Sequence, residues 1–184
     1  MTSAHAPHRL FVAAHPPIEV ARDYLRALER VDLAEHRATA PEQAHLTLHF
    51  IGPVDPRGVD AIAESVSLAC AGIAPFDLTP ARLVTMPARG EPRLVALDLA
   101  PHPSAAELHT RLVRRLARSP KGNPGRDYRP HLTLCRFTRP ARPSRVDAPV
   151  ELPAFRVDRV SLVRSVLRPD GAEHREVGAW ALEP

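Results

Sequence analysis

The chain carries one tetrapeptide twice, in Ala44-His45-Leu46-Thr47-Leu48-His49-Phe50-Ile51-Gly52 and, 86 residues on, in Pro130-His131-Leu132-Thr133-Leu134-Cys135-Arg136-Phe137. Chance yields His-Leu-Thr-Leu on the order of 0.01 times in a chain of this composition, so two copies mark an internal repeat. Each copy alternates polar and apolar residues, the period of a half-buried strand. Successive side chains of a strand leave on opposite faces. His45 and Thr47 therefore share one face, opposite Leu46, Leu48 and Phe50. His131 and Thr133 likewise share a face, opposite Leu132 and Leu134. The leucines bury against helices. If a pseudo-twofold axis relates the two halves, the polar faces meet, and two imidazoles and two hydroxyls line one cleft.

Outward from the motifs, the pattern predicts a strand over 9–14, a helix over 18–31, and a first motif strand over 44–51 that stops at Gly52-Pro53. A second helix is expected over 57–74. Strands follow over 76–86 and 93–99, parted by the turn Arg89-Gly90-Glu91-Pro92. A third helix is expected over 104–118, capped by Ser104 with Glu107 completing a capping box. The segment 121–125 reads as a loop, 131–137 as the second motif strand, and 155–166 and 175–182 as two more strands. Helices and strands mix without strict alternation, which argues for an α+β class with largely antiparallel sheet. The expected architecture is a single domain over 1–184. It consists of two intertwined lobes, with two sheets around a central cleft and helices outside. Residues 1–8 read as a flexible tail.

Composition bounds the function. The 184 residues are 44% hydrophobic and 25% charged, which excludes a disordered, collagen-like or coiled-coil chain. No apolar run reaches the ~18–20 residues of a membrane span. The segment before Arg9 has no apolar core of signal-peptide type, and two cysteines, Cys70 and Cys135, are too few for a disulfide framework. A cytoplasmic protein that does not engage membrane is expected. The net charge of +4 is uneven: eleven basic residues lie between Arg111 and Arg145, against one acid, Asp127. Such a stretch is either a solvated surface or a footprint for phosphate or RNA.

Paired imidazoles suit phosphoester chemistry. With an ordinary pKa near 6.5, one ring can be neutral and the other protonated at physiological pH. The neutral ring takes a proton from the attacking hydroxyl, and the protonated ring gives one to the leaving oxygen. Threonine hydroxyls can donate to the non-bridging oxygens where charge accumulates. Zinc is the rival use of the histidines. Neither motif contains a carboxylate, and no third and fourth ligands are evident, so no metal and no cofactor are expected. By strand parity His49 shares the face of His45 and Thr47 and is a candidate phosphate contact. Cys135 shares the parity of His131 and reads as a small buried residue.

On these residues the sequence resembles the 2H phosphoesterase superfamily, and within it the bacterial and archaeal RNA 2',3'-cyclic phosphodiesterases, also described as 2'-5' RNA ligase-like. The matching stretches are 9–13, 45–52, 130–136 and the late strand around 162–165. The resemblance implies a bilobal α+β fold with a basic cleft. It also implies metal-independent hydrolysis of an RNA-terminal 2',3'-cyclic phosphate to a 2'-phosphate, with His45 as proton donor and His131 as proton acceptor. Thr47 and Thr133 would hold the phosphate oxygens. Arg136 matches the family's basic residue after the second motif. Its parity places it opposite His131, so it reaches the cleft only where the strand twists, bulges or ends. The partner expected is an RNA end bearing a cyclic phosphate, bound by a monomer. Alternatives within the same chemistry are 2'-5' ligation, a ribose hydroxyl replacing water, or RNA-end binding without turnover. Three positions depart from the family pattern: His49 follows the first motif where relatives often carry a basic residue, His174 stands where they often carry an aromatic, and Arg164 precedes Ser165 where an acid is commoner.

Overall fold

In the computed structural model, the described residues are 6–116, 128–139, 145–168 and 171–184. Residues 1–5, from the expected flexible tail, and the loop at 121–125 lie outside them. His8, also assigned to that tail, already pairs with Val54. The strands are β1 (His8–Ala14), β2 (His36–Ala38), β3 (Leu46–Val54), β4 (Phe76–Leu78), β5 (Pro80–Met86), β6 (Leu94–Leu99), β7 (His131–Phe137), β8 (Asp147–Pro149), β9 (Phe155–Val157), β10 (Arg159–Arg168) and β11 (Gly171–Ala181). The helices are α1 (Ile18–Arg26), α2 (Val59–Cys70) and α3 (Pro103–Leu116).

The fold is α+β with antiparallel sheets, as expected. The main strand order is β11-β10-β1-β3-β7-β6-β5-β8, with β2 also on β7, and β4 pairs separately with β9. Its two halves, β11-β10-β1-β3 and β7-β6-β5-β8, join through a single residue pair, Leu46 with Leu132. These are equivalent leucines of the two motifs, so the pseudo-twofold axis passes between them. Each half holds a strand-helix-strand unit, β1-α1-β3 in one and β6-α3-β7 in the other.

The motif leucines Leu46, Leu48, Leu132 and Leu134 are all fully buried in one core with Leu10, Val12, Leu108 and Leu112. In α3, Ala105, Leu108 and Leu112 form the buried stripe that packs on β3 and α2. On the opposite face of β1, Phe11 and Ala13 pack with Val163. Being covered on both faces, β1 reads as a continuous apolar run.

Several boundaries differ from expectation. The first helix becomes a tighter 3-10 turn after Arg26, over Ala27–Arg30. The first motif strand runs past Gly52-Pro53 to Val54, because Gly52 takes φ +87°, open to a residue without Cβ. The expected strand 76–86 is two strands in different sheets, as is 155–166. In α3, Ser104 lies inside the first turn rather than capping it. Its backbone N–H donates to the His102 ring, and Glu107 pairs with Arg111. The strands β2 and β8 were not foreseen: three residues are too few to show a period.

Candidate functional site

His45 immediately precedes β3 and His131 opens β7, flanking the Leu46–Leu132 pair. Antiparallel register sets His45 beside Thr133 and His131 beside Thr47. The Nδ1 of His45 lies 2.7 Å from the carbonyl oxygen of Gln43, and the Nδ1 of His131 lies 2.9 Å from that of Arg129. A carbonyl can only accept, so each Nδ1 carries the proton and donates it. This fixes the tautomer and leaves each Nε2 free. His45, Thr47, Thr133 and Arg136 line one cavity of about 900 Å³, which His174 also lines.

Arg136 reaches that cavity through a β-bulge. Val95 pairs with Cys135 and Ala96 with Thr133, so Leu134 is an extra residue in β7. One extra residue reverses the parity beyond it. Arg136 thus comes to the cleft face, and Cys135 is fully buried in the core. The same device acts in β3, where Val12 pairs with His49 and Ala13 with Thr47, leaving Leu48 extra. Parity beyond Leu48 is reversed there too, which corrects the expectation for His49. His49 shares the core-facing side of Val12, its ring 6.4 Å from that of His109 on α3. It does not line the cleft. Ser165 pairs with Arg9 and His174 and is likewise absent from the cavity wall.

The edges that β3 and β7 turn toward each other beyond the leucine pair are filled by other groups. The Thr47 carbonyl accepts from the Tyr128 hydroxyl at 2.9 Å, and the Leu48 carbonyl from the His109 ring at 2.7 Å. These two rings stack at 4.3 Å. In β7, Thr39 serves both equivalent carbonyls, its hydroxyl donating to Thr133 and its N–H to Leu134. The chain from β2 to His45 therefore straps one motif to the other.

The two histidines sit in different surroundings. His45 packs between Phe11, with ring centroids 4.9 Å apart, and His174, 5.1 Å apart, with His15 at 5.9 Å. Burial holds its pKa down to about 4, opposed by the bond to Gln43 and reinforced by the charges of His174, His15 and His131. Burial also lowers the pKa of His15 and His174. His131 instead stands opposite Asp98 in register. One Asp98 oxygen is held by Arg129, and the other is buried without a partner. His15, Asp98, Thr39 and Tyr128 were not singled out from sequence. A signal for the first two exists: Val12-Ala13 and Val95-Ala96 recur at the two bulges, and His15 and Asp98 each follow two residues later.

Four of the seven described members of the basic stretch are spent on the fold. Arg111 holds Glu107 and the Ala71 carbonyl, Arg129 holds Asp98, Arg139 faces Glu35, and Arg145 donates to the carbonyls of Ala88 and Gly90. Arg118, Lys121, Arg126 and Arg142 lie outside the described residues. Among the described members of the stretch, Arg136 alone lines the cavity. Among the described residues no three His, Cys, Asp or Glu side chains converge as a metal-binding group, and no helix is long and apolar enough to cross a membrane.

The 2'-5' RNA ligase superfamily matches residues 15–168. The RNA 2',3'-cyclic phosphodiesterase of Methanothermobacter thermautotrophicus is 28% identical over 155 residues, 81% of this chain and 84% of that protein. Among solved structures, TT0787 of Thermus thermophilus is similar with TM-score 0.78 at 27% identity, covering 95% of this chain and 97% of that one. Escherichia coli LigT in its apo form is similar with TM-score 0.78 at 22% identity, covering 98% of this chain and all of that one. Repeat, topology and family match coincide: the chain belongs to the 2'-5' RNA ligase superfamily of 2H phosphoesterases.

Proposed function

We propose that this phosphoesterase hydrolyses the 2',3'-cyclic phosphate at an RNA end to a 2'-phosphate, using two histidines and no metal. The observation that carries the reading is the pair of imidazoles across Leu46 and Leu132, each with Nδ1 tied to a carbonyl and Nε2 free. The activity named for the Methanothermobacter relative supports it. His131 takes a proton from water, whose oxygen attacks phosphorus. The bond from phosphorus to the 3' oxygen breaks, and His45 gives that oxygen its proton. The products are a 2'-phosphomonoester and a free 3'-hydroxyl. Thr47 and Thr133 donate to the non-bridging oxygens, and Arg136 offsets the phosphate charge. Burial holds the His45 pKa down to about 4, so its ring is neutral at pH 7. A phosphate anion beside it favours the imidazolium, so substrate loads the donor.

The test is turnover of a short RNA ending in a 2',3'-cyclic phosphate, with EDTA and with H45A and H131A. Wild type should yield the 2'-phosphate in EDTA, and each variant should lose at least ~100-fold in rate. Loss of activity on chelation, restored by zinc, would overturn the metal-free reading. Roles are separated by a substrate with sulfur in place of the leaving 3' oxygen, because a thiolate leaves unprotonated. That substrate should restore H45A and not H131A; the reverse result exchanges donor and acceptor. A 5'-hydroxyl RNA added to the same reaction reads ligation through the appearance of a longer product.

A further inference from the structure

Arg37 on β2 and Arg136 on β7 stand directly opposite one another in the antiparallel register. Directly opposed side chains leave on the same face, and both arginines line the cleft cavity. Neither has an ion-pair partner among the described residues, and they are the two arginines that line this cavity. Like charges placed directly opposite on neighbouring strands repel and destabilise the pairing. Here Arg37 sits on a three-residue strand paired only with β7, with little ladder to resist the repulsion. An anion between the two guanidiniums would remove the repulsion.

The place of the pair in the cleft defines which anion. Along β7 the order is His131, Thr133, then Arg136, with the bulge at Leu134 bringing all three to one face. The arginines therefore stand at the cleft end remote from the leucine pair, beyond the threonine that holds the reacting phosphate. Arg136 lies between that phosphate and whatever occupies the end, and Arg37 lies beside Arg136. The strap from Arg37 to His45 forms the wall between, with Thr39 bonded to Thr133 and Leu134. Two planar guanidiniums present paired N–H donors that match a phosphate.

We infer that Arg37 and Arg136 form a second phosphate subsite, which takes the phosphodiester immediately upstream of the cyclic end. The inference rests on the proposed reaction and deepens it: the substrate class is a polynucleotide end, with at least two phosphates, rather than a cyclic mononucleotide. The charge that recognises RNA then comes from β2 as much as from the basic stretch, and Arg37 lies outside that stretch.

The experiment compares adenosine 2',3'-cyclic phosphate with a dinucleotide ending in the same group, for wild type, R37Q and R37K. Wild type should prefer the dinucleotide in kcat/KM. In R37Q that preference should fall about tenfold, the low end for loss of a charge-assisted hydrogen bond. R37K keeps the charge and should retain most of the preference. The salt dependence of dinucleotide binding should flatten in R37Q by about 0.7 in log–log slope, one single-strand phosphate contact. A preference unchanged in R37Q, whether both substrates lose equally or neither does, overturns the subsite. If wild type turns over neither substrate, titration with the mono- and dinucleotide 2'-phosphates reads the same ratio as Kd. A tenfold fall there sustains the subsite while the hydrolysis reading fails, and an unchanged ratio overturns the subsite. Thermal unfolding of R37Q near that of wild type checks that β2 remains in place.

Discussion

Each motif histidine spends one ring nitrogen on the carbonyl two residues before it, and this small local bond decides what the other nitrogen can do. A ring free to rotate or switch tautomer would offer its lone pair in the wrong direction for part of the time. The threonines are held differently, through the backbone. Thr47 depends on Tyr128, whose hydroxyl supplies the hydrogen bond that a neighbouring strand would otherwise give. In Y128F the Thr47 carbonyl loses that partner while the stacking on His109 remains. The expected cost is about 1 kcal/mol in unfolding free energy, with a lower kcat and a smaller change in KM. Denaturant melts and steady-state kinetics check the two parts; unchanged kcat would mean that the bond supports the fold alone.

At the scale of the element, two one-residue bulges decide which side chains face the reaction. Both fall at the second leucine of the motif, opposite a Val-Ala pair on the neighbouring strand. Strict alternation places His49 in the cleft and Arg136 out of it, and the bulges reverse both. R136Q should therefore lower kcat/KM at least tenfold through loss of a charge-assisted contact, whereas H49Q should change it less than about threefold. Equal losses in the two variants would show that β3 is not reversed in parity at Leu48. The histidines and threonines were legible from sequence because they precede the bulges. The faces taken by His49 and Arg136 were not, because an extra residue leaves no periodic mark in so short a strand. The short strands β2 and β8 and the split of 76–86 between two sheets were illegible for a related reason: pairing partners distant in sequence define them.

At the scale of the molecule, four histidines among the described residues have pKa values held below their ordinary range, chiefly by burial: His15, His45, His49 and His174. In the unfolded chain they titrate near 6.5. As pH falls below that value, the unfolded chain binds protons that the folded protein resists, so stability is fully present above about 6.5 and is lost toward pH 4. The melting temperature should therefore drop steeply between about pH 7 and 4.5. H45Q should flatten that drop, since His45 is the group held lowest, at about 4. A melting temperature insensitive to pH over this window would show that the cluster titrates normally in the folded state.

The repeated His-Leu-Thr-Leu determined the shared face of each His–Thr pair and the meeting of two halves, and the mix of helical and strand periods determined the α+β class, because a side chain's face within a regular element is a local, periodic property. The positions of Arg37, Arg136 and His49, the neighbours that set His45 apart from His131, and the strap through Thr39 followed only from the folded chain. Register, bulges and burial depend on which distant strand lies alongside, and the free energy that selects that partner is spread over the whole core rather than written in any one segment.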